Sequence, residues 1–459
     1  MPTQCNTKPL EFEPHGRRRV VADFDGGPIT SDAGALLLRR VDRRLSLSDQ
    51  VADCFTDHRD PKRVQYSLRS LITQRILGIA QGYEDLIDHD QLRHDPVMAL
   101  LSEKGRRPDS PPLAGKSTLN RLEHAPTDGP GRYHKIDHDP EALQALLVEM
   151  FLQAHPDPPD EIILDLDATD DPLHGEQEER FFHGYYNGYY NGYCYLPLYI
   201  FSGRHLLLAL LRPANIDASA DALKQVQRIV SRLREVWPTV KILLRADSGF
   251  AREELMGWCE QHQVDYLFGL ARNPRLQDAI APEMAQAQAR FYQQQQPVRL
   301  FTDLSYCTHK SWSRQRRVVA KAEVLPRGPN PRFLVTSLSA GDHSAQPLYE
   351  QIYCARGEME NRIKEQQLDL FADRTSTRSF RANQLRLLMT SFAYVLVEGL
   401  RRGALQSTCL ARATVGSIRL KLLKIGAQVT TSVRRIKVSM ASGCPYQREF
   451  RRAWAHLPP

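Results

Sequence analysis

The residues best suited to chemistry are acids placed where apolar strands run out. Residues 161–171 read EIILDLDATDD, a hydrophobic stretch ending in Asp165, Asp167, Asp170 and Asp171. Carboxylates crowded this closely repel one another unless a cation offsets them. The carboxyl end of a strand is also where open α/β sheets build their sites. Residues i and i+2 of a strand share a face, so Asp165 and Asp167 are expected to converge. A second apolar stretch, KILLRADSG (241–249), ends in Asp247 and a glycine-containing turn into a helix. Alone, it fits a turn or N-cap aspartate equally well. A third set lies on a helix predicted over 348–370, where Tyr353, Arg356, Glu360, Lys364 and Gln367 share one face. In isolation Glu360 and Lys364 would be an ordinary i,i+4 ion pair. Together, two strand-end aspartates and a later helical glutamate suit phosphoryl transfer assisted by two divalent ions. Hard oxygen ligands point to Mg²⁺ or Mn²⁺ rather than zinc.

The elements that must position these residues form an α/β pattern. Strands are expected at 161–167, 194–203, 204–215, 241–249 and 265–272, with helices at 221–237 and 251–263. Residues 273–345 break the pattern: a Gln/Ala-rich polar stretch is followed by the alternating segments RRVVAKAEVLP and PRFLVTSLS, read as a β-rich insertion. A long apolar helix over 380–405 is expected to pack on the sheet. Before the α/β portion come a β segment from residue 18, a helix through residue 45 with Ser31 as its N-cap, and a helical region over 61–100. A Pro-rich break (106–115) and a short helix from Lys116 follow. The expected division is a mainly helical N-terminal module (1–125), the first part of a catalytic core (126–272), a β-rich insertion subdomain (273–345), a helix that completes the core (346–405) and a basic tail (406–459). GYYNGYYNGY (184–193) reads as a tyrosine-rich hairpin or loop, with base stacking as the less favoured alternative.

Composition narrows the class. With 42% hydrophobic and 25% charged residues among 459, the chain is neither disordered, collagen-like nor a disulfide mini-protein. It has no run of about 18 apolar residues to span a membrane, and its N-terminus lacks the apolar core of a secretory signal. Eight cysteines stand singly without a C-x-x-C pair, which argues against structural zinc and disulfides and for a reducing cytoplasm. The net charge of +7 is uneven: from Arg374 onward sixteen Lys/Arg face two Glu, a net +14, which leaves −7 for the remainder. That asymmetry points to a polyanionic partner, nucleic acid first.

Three stretches, ILDLDATDDPLHGEQ (163–177), LLRADSGFA (243–251) and YCARGEMENRIKEQQLDL (353–370), together resemble the DDE transposases of bacterial insertion sequences. They are most like insertion-sequence family thirteen-eighty within the larger group four. The third stretch matches the group's Tyr-x2-Arg-x3-Glu signature at Tyr353, Arg356 and Glu360. The lysine usual seven positions further on is Gln367 here, with Lys364 as a candidate substitute. The resemblance covers residues 18–455. It implies an RNase H-like core with a β insertion before the glutamate, and Asp167, Asp247 and Glu360 as catalytic acids holding two Mg²⁺ or Mn²⁺ ions. It implies phosphate contacts from Tyr353, Arg356 and Lys364, and an insertion tryptophan, Trp312 with Arg316 and Arg317 nearby, that holds a flipped base. For Trp312 core packing is the favoured alternative. The implied partners are double-stranded DNA, both transposon ends and target, and a second copy of the chain on that DNA, in the bacterial cytoplasm and away from membranes.

Two motifs compete. Asp165-x-Asp167-x-Thr169 after a hydrophobic strand also resembles the nucleophile motif of haloacid-dehalogenase-type phosphatases, in which the first Asp is phosphorylated. That reading lacks a later acidic pair and leaves the basic tail unexplained. Gly115-Lys116-Ser117 resembles the end of a phosphate-binding loop, but Ser110 stands where a glycine is required and no apolar strand precedes it. A DNA-binding relic without chemistry is the non-enzymatic alternative. It would not need the three acids.

Overall fold

The computed structural model describes residues 9–102, 111–124, 131–183 and 192–457. The tyrosine repeat up to residue 191 and the first half of the Pro-rich break lie outside the described residues. The chain forms two compact units, one of residues 1–48, 60–120 and 399–459, the other of residues 49–59 and 121–398.

The larger unit is built on one nine-stranded sheet. Its strands are β1 (Glu161–Ala168), β2 (Leu198–Ser202), β3 (His205–Leu210), β4 (Lys241–Ala246), β5 (Asp265–Leu270), β6 (Val298–Tyr306), β7 (Arg316–Leu325) and β8 (Arg332–Thr336), with a two-residue strand, Gly328–Pro329, against β7. Their order is β3-β2-β1-β4-β5-β8-β7-β6. The first three form an antiparallel meander, while β4 runs parallel to β1 and β5 parallel to β4. Parallel neighbours need crossover helices, here α1 (Ala222–Val236) and α2 (Glu253–Gln261). Their apolar stripes, among them Val226, Ile229, Leu233, Leu255 and Met256, bury one face of the sheet together with Ile162, Leu164, Leu166, Ile242 and Leu244. On the opposite face Leu243, Leu267, Val319 and Leu334 pack against Leu348 and Tyr349, with Ile163 beside them.

Residues 273–345 do not close a subdomain of their own. Two helices, α3 (Pro274–Ala279) and α4 (Ala281–Gln294), come first. The strands that follow then extend the central sheet, because β8 pairs antiparallel with β5 from Leu267↔Thr336 to Leu270↔Phe333. The burial of β7 explains the difference from the expected insertion: residues 318–324 are buried without alternation, which marks a strand covered on both faces.

The helix expected over 348–370 is present but unevenly wound. A regular segment, α5 (Gly357–Lys364), lies between wide π-type turns at Leu348–Tyr353 and Glu365–Asp369, with a tight 3₁₀ turn at Cys354–Arg356. Such departures from regular winding recur at functional sites. The apolar helix α6 (Phe380–Ala404) packs on the meander: Gln384 bonds the Leu211 amide and the Ala209 carbonyl, and the Tyr394 hydroxyl donates to the Arg204 carbonyl.

In the smaller unit the C-terminal stretch is not a loose tail. Ala427–Thr431 and Ile436–Met440 form a hairpin that continues a sheet begun by Ile29–Thr30. The Ala33 and Gly34 amides donate to the Ile425 and Leu423 carbonyls, each at 3.1 Å. A Cβ on Gly34 would collide with Leu422 and Leu423 backbone atoms, so only glycine permits this approach. Lys424 pairs with the buried Asp32 at 2.7 Å. The helix Ala35–Leu45 therefore starts from Gly34, and the Ser31 hydroxyl bonds Asp32 instead of capping it. All seven described cysteines are unpaired, and no described helix is long and apolar enough to cross a membrane.

Candidate active site

Alternation along β1 sets the site. Its even-numbered residues face the α1/α2 core, so Ile163, Asp165 and Asp167 face the side covered by the 348–369 helix. Leu243, Arg245 and Asp247 do the same along β4. That face therefore changes from apolar (Ile163, Leu243) to charged (Asp165, Arg245) to acidic (Asp167, Asp247) as the two parallel strands approach their carboxyl ends.

Asp165 and Asp167 do not converge. Asp165 is 3% exposed and receives two bonds from its register partner Arg245, Nε to Oδ1 at 2.5 Å and Nη2 to Oδ2 at 2.8 Å. The remaining Arg245 nitrogen donates to the Ile352 carbonyl. One buried guanidinium thus joins β1, β4 and the turn that leads to Tyr353 and Arg356. Asp167, one pleat further on, is free of this pair. Burial pushes its carboxyl up to about 6; the Arg356 charge opposes the rise and the neighbouring Asp247 and Glu360 charges add to it. The three acids named from the sequence therefore share one electrostatic neighbourhood.

Arg356 stands among them. Its Nη1 donates to Asp167 Oδ2 at 3.1 Å and its Nη2 to Glu360 Oε1 at 3.0 Å. Glu360 is thus paired one turn back along its helix, not forward with Lys364, which is exposed and has no ion pair among the described residues. Asp247 Oδ1 accepts the Gly249 amide at 2.8 Å and caps the turn, so the turn role and the place beside the other acids coexist. Tyr353 reaches the same corner: a Cβ on Gly269 of β5 would lie 2.8 Å from its hydroxyl and 2.9 Å from the Ser248 amide. Burial raises the Tyr353 phenol. Gln367 points to the other side of the strand end, where its Nε2 donates to the Asp170 carbonyl at 3.2 Å and to Asp171 Oδ1 at 3.0 Å. Asp171 is wholly buried and its carboxyl is raised well above the usual range by burial. Gln367 therefore anchors the helix to the β1 end.

Among the described residues no three His, Cys, Asp or Glu side chains form a ready-made metal cluster. The donor set nevertheless fits a divalent cation. Asp167, Asp247 and Glu360 offer only hard oxygens, and a positive charge already bridges two of them.

Trp312, Arg316 and Arg317, which the resemblance sets at a flipped base, are held by other groups of the protein. Trp312 is 8% exposed, lies in the core cluster and meets Tyr306 edge-on at 5.7 Å. Arg316 lies over the Trp312 ring and pairs with Glu253 at 2.6 Å and Glu260 at 2.7 Å, its side chain 2% exposed. Arg317 is bound by Asp303 and by the Leu338 and His343 carbonyls. Core packing, the favoured alternative for Trp312, describes what is seen, and both arginines are engaged by protein groups.

Sequence reasoning missed Arg245 and Gly269. Arg245 was within reach, since aligning the two apolar runs as parallel neighbours sets it opposite Asp165. Gly269 carried no signal, because its need appears only when Tyr353 and the Asp247 turn close over it.

The family described as transposase DDE domain group 1 matches residues 12–459 of the chain. A search of curated proteins found no match. Among solved structures the chain is similar to one described as a piggyBac transposase synaptic complex with hairpin DNA, determined by cryo-EM, with 10% identity and a TM-score of 0.40 over 86% of this chain and 80% of that one.

Proposed function

The chain belongs to the transposase DDE domain group 1 family, and from that premise we propose that it binds the terminal inverted repeats of an insertion sequence, cleaves DNA there and joins the freed end to a target. Asp167, Asp247 and Glu360 are the catalytic acids and would hold two Mg²⁺ or Mn²⁺ ions. The observation that carries this reading is the placement of these acids: two at the carboxyl ends of parallel neighbours, one on the facing helix, with Arg356 bridging Asp167 and Glu360. The order β3-β2-β1-β4-β5 beneath them supports an RNase H-like core.

When bound, the divalent ions supply charge that activates the attacking hydroxyl and steadies the leaving oxygen. The chain's own groups do the positioning. Asp167 and Asp247 are fixed by adjacent strands of the sheet. Arg245 and Gln367 hold the glutamate helix at its two ends. Arg356, which neutralises the acids in the absence of DNA, would exchange Asp167 for a DNA phosphate and leave that carboxylate free. Lys364, exposed one turn beyond Glu360, and Tyr353 are the further phosphate contacts. Water attacks first, and the 3′-hydroxyl it releases then attacks the target phosphodiester, so each step breaks one P–O bond and forms another. Two ends must be held together for joining, which requires a second copy of the chain. The smaller unit, with a net charge of +14 against −7 for the unit bearing the acids, is the part suited to hold the repeats.

The phosphatase reading would make Asp165 the nucleophile. Both of its oxygens are occupied by Arg245 and it is closed to substrate. The test uses purified protein and an end-labelled duplex from the DNA flanking its gene, with Mg²⁺ or Mn²⁺, beside an Asp247→Asn control. Metal-dependent breaks at one defined position, absent in the control, are expected. Binding without breaks would favour the inert relic.

A further inference from the structure

We propose that the C-terminal hairpin, Ala427–Thr431 with Ile436–Met440, is a DNA-binding ribbon that lies in a groove of the duplex. The inference rests on the transposase reading and goes beyond it by naming a contact surface outside the acid site.

The hairpin is two-sided. Register pairs Val429 with Val438 and Thr430 with Lys437, and the Ser432 and Arg435 backbones bond each other across a tip made of Val433 and Arg434. Strand alternation gives one face Ala427, Val429, Val438 and Met440; Ala427, Val438 and Met440 pack toward Ala33, Ile425 and Phe450, and Val429 is buried. The other face carries Thr430, Ser432, Arg435 and Lys437, all exposed. A polar outer face is ordinary for a sheet. This one combines cations and hydroxyls, the side chains that contact phosphate and sugar. Arg434, Arg435 and Lys437 form no side-chain ion pair among the described residues, although carboxylates elsewhere in the chain pair with many arginines. Val433, next to Arg434 at the tip, is fully exposed.

Shape selects the occupant. Two strands lie about 4.8 Å apart, and a two-stranded ribbon with side chains fits the roughly 12 Å width of the major groove. An anionic membrane would call for a broad apolar surface beside the charges, and this face offers only Val433. The unit that carries the ribbon is also the basic one, so the field around it favours a polyanion.

The experiment uses the full-length chain with Arg434→Gln, Arg435→Gln and Lys437→Gln combined. Affinity is followed by fluorescence anisotropy against salt for two probes, a duplex from the flanking DNA and a shuffled duplex of equal length. Each lost phosphate contact should reduce the log–log salt slope by about 0.9, so the triple variant should be shallower by about 2.7 on both duplexes. Thr430→Val should weaken binding at unchanged slope, since it removes a hydroxyl and no charge. A control that neutralises three exposed cations of the other unit, Lys241, Arg290 and Arg327 to Gln, should leave the slope as in wild type. A wild-type slope in the hairpin variant would overturn the inference. So would an equal loss in the control, which would mean bulk charge and not a surface. A changed oligomeric state with unchanged DNA binding would assign the hairpin to a second copy and overturn it as well. If the wild-type chain binds neither duplex, the transposase reading falls first and the ribbon with it; if the wild type binds and the variant matches it, the ribbon alone falls.

Discussion

At the scale of single residues, the decisive contrast is between two aspartates two positions apart. Asp167 stands with Asp247, Glu360 and Arg356, whereas Asp165 is consumed by Arg245. Asp167→Asn, Asp247→Asn and Glu360→Gln should each abolish cleavage, read on a labelled end, while the DNA-binding isotherm stays close to wild type. Arg356 adds a finer test. A guanidinium within 3.1 Å of Asp167 and 3.0 Å of Glu360 competes with any cation for those oxygens. Titrating Mn²⁺ calorimetrically into DNA-free protein should show tighter binding for Arg356→Gln than for wild type by about tenfold, which is about 1.4 kcal/mol. Cleavage by that variant should nevertheless fall, because the phosphate contact proposed for Arg356 would be lost. Equal Mn²⁺ affinity in the two proteins would mean that Arg356 does not occupy the cation's place. That acids of two strand ends and one helix face would come together was legible because strand ends and helical spacing are local patterns, while the choice of Asp167 over Asp165 came from the family resemblance. The occupation of Asp165 was not, because it depends on which strand lies alongside.

At the scale of elements, two buried ion-pair systems hold the site's supports, and each predicts something different. Arg245 ties β1 and β4 to the Ile352 carbonyl. Breaking a buried pair by removing one partner costs about 3–5 kcal/mol, so Asp165→Asn should lower unfolding free energy on that order. Its Mn²⁺ affinity should remain near wild type, whereas Asp167→Asn should lose it; a matching loss in Asp165→Asn would make Asp165 a ligand. The second system joins β7 to α2. Hydrogen bonds from Arg316 lower the Glu253 carboxyl to about 2, against the opposing effect of burial. Glu260 is lowered too: burial pulls it up, but bonds from Arg316, Arg314 and Tyr266 prevail. A depressed carboxylate contributes stability above its unfolded pKa, near 4.5, and that contribution is lost as pH falls toward the folded value. Arg316→Gln should therefore cost most at neutral pH, about 3 kcal/mol by the same reasoning for a mostly buried cluster. The gap to wild type in urea unfolding should narrow between pH 4.5 and 2. A gap that stays constant through that window would show that the charges are not what the arginine stabilises. The elements themselves could be read from the chain with one systematic error. The runs at 161–168, 241–246 and 265–270 fall where hydrophobicity places them, but the break in pattern after residue 272 predicts a separate subdomain where β6 to β8 in fact continue the central sheet. Alternation in RRVVAKAEVLP identifies a strand; it does not say which sheet the strand joins, since that is settled by the pairing of β8 with β5.

At the scale of the whole chain, opposite charges are sorted into different units. The unit of residues 1–48, 60–120 and 399–459 carries +14, and the unit with the acids carries −7. The sequence places the excess charge in the C-terminal part and predicts a tail there. Its incorporation beside Ile29–Thr30 depends on contacts some 400 positions apart along the chain, which no local pattern encodes. The sorting has a physical consequence. An acidic centre repels phosphate, so attraction to DNA has to come from the basic unit, and it has to be mostly counterion release. For a protein making six to ten phosphate contacts, affinity falls by roughly 10³–10⁵ between about 50 and 200 mM salt. We expect a drop in that range for the wild-type chain on any duplex, with sequence preference appearing as a constant offset between parallel lines on the log–log plot. Measuring both lines separates the two contributions, because base contacts shift the intercept while phosphate contacts set the slope. A nearly flat line would mean that the +14 does not meet phosphate, and binding would then have to arise from groups that carry no charge.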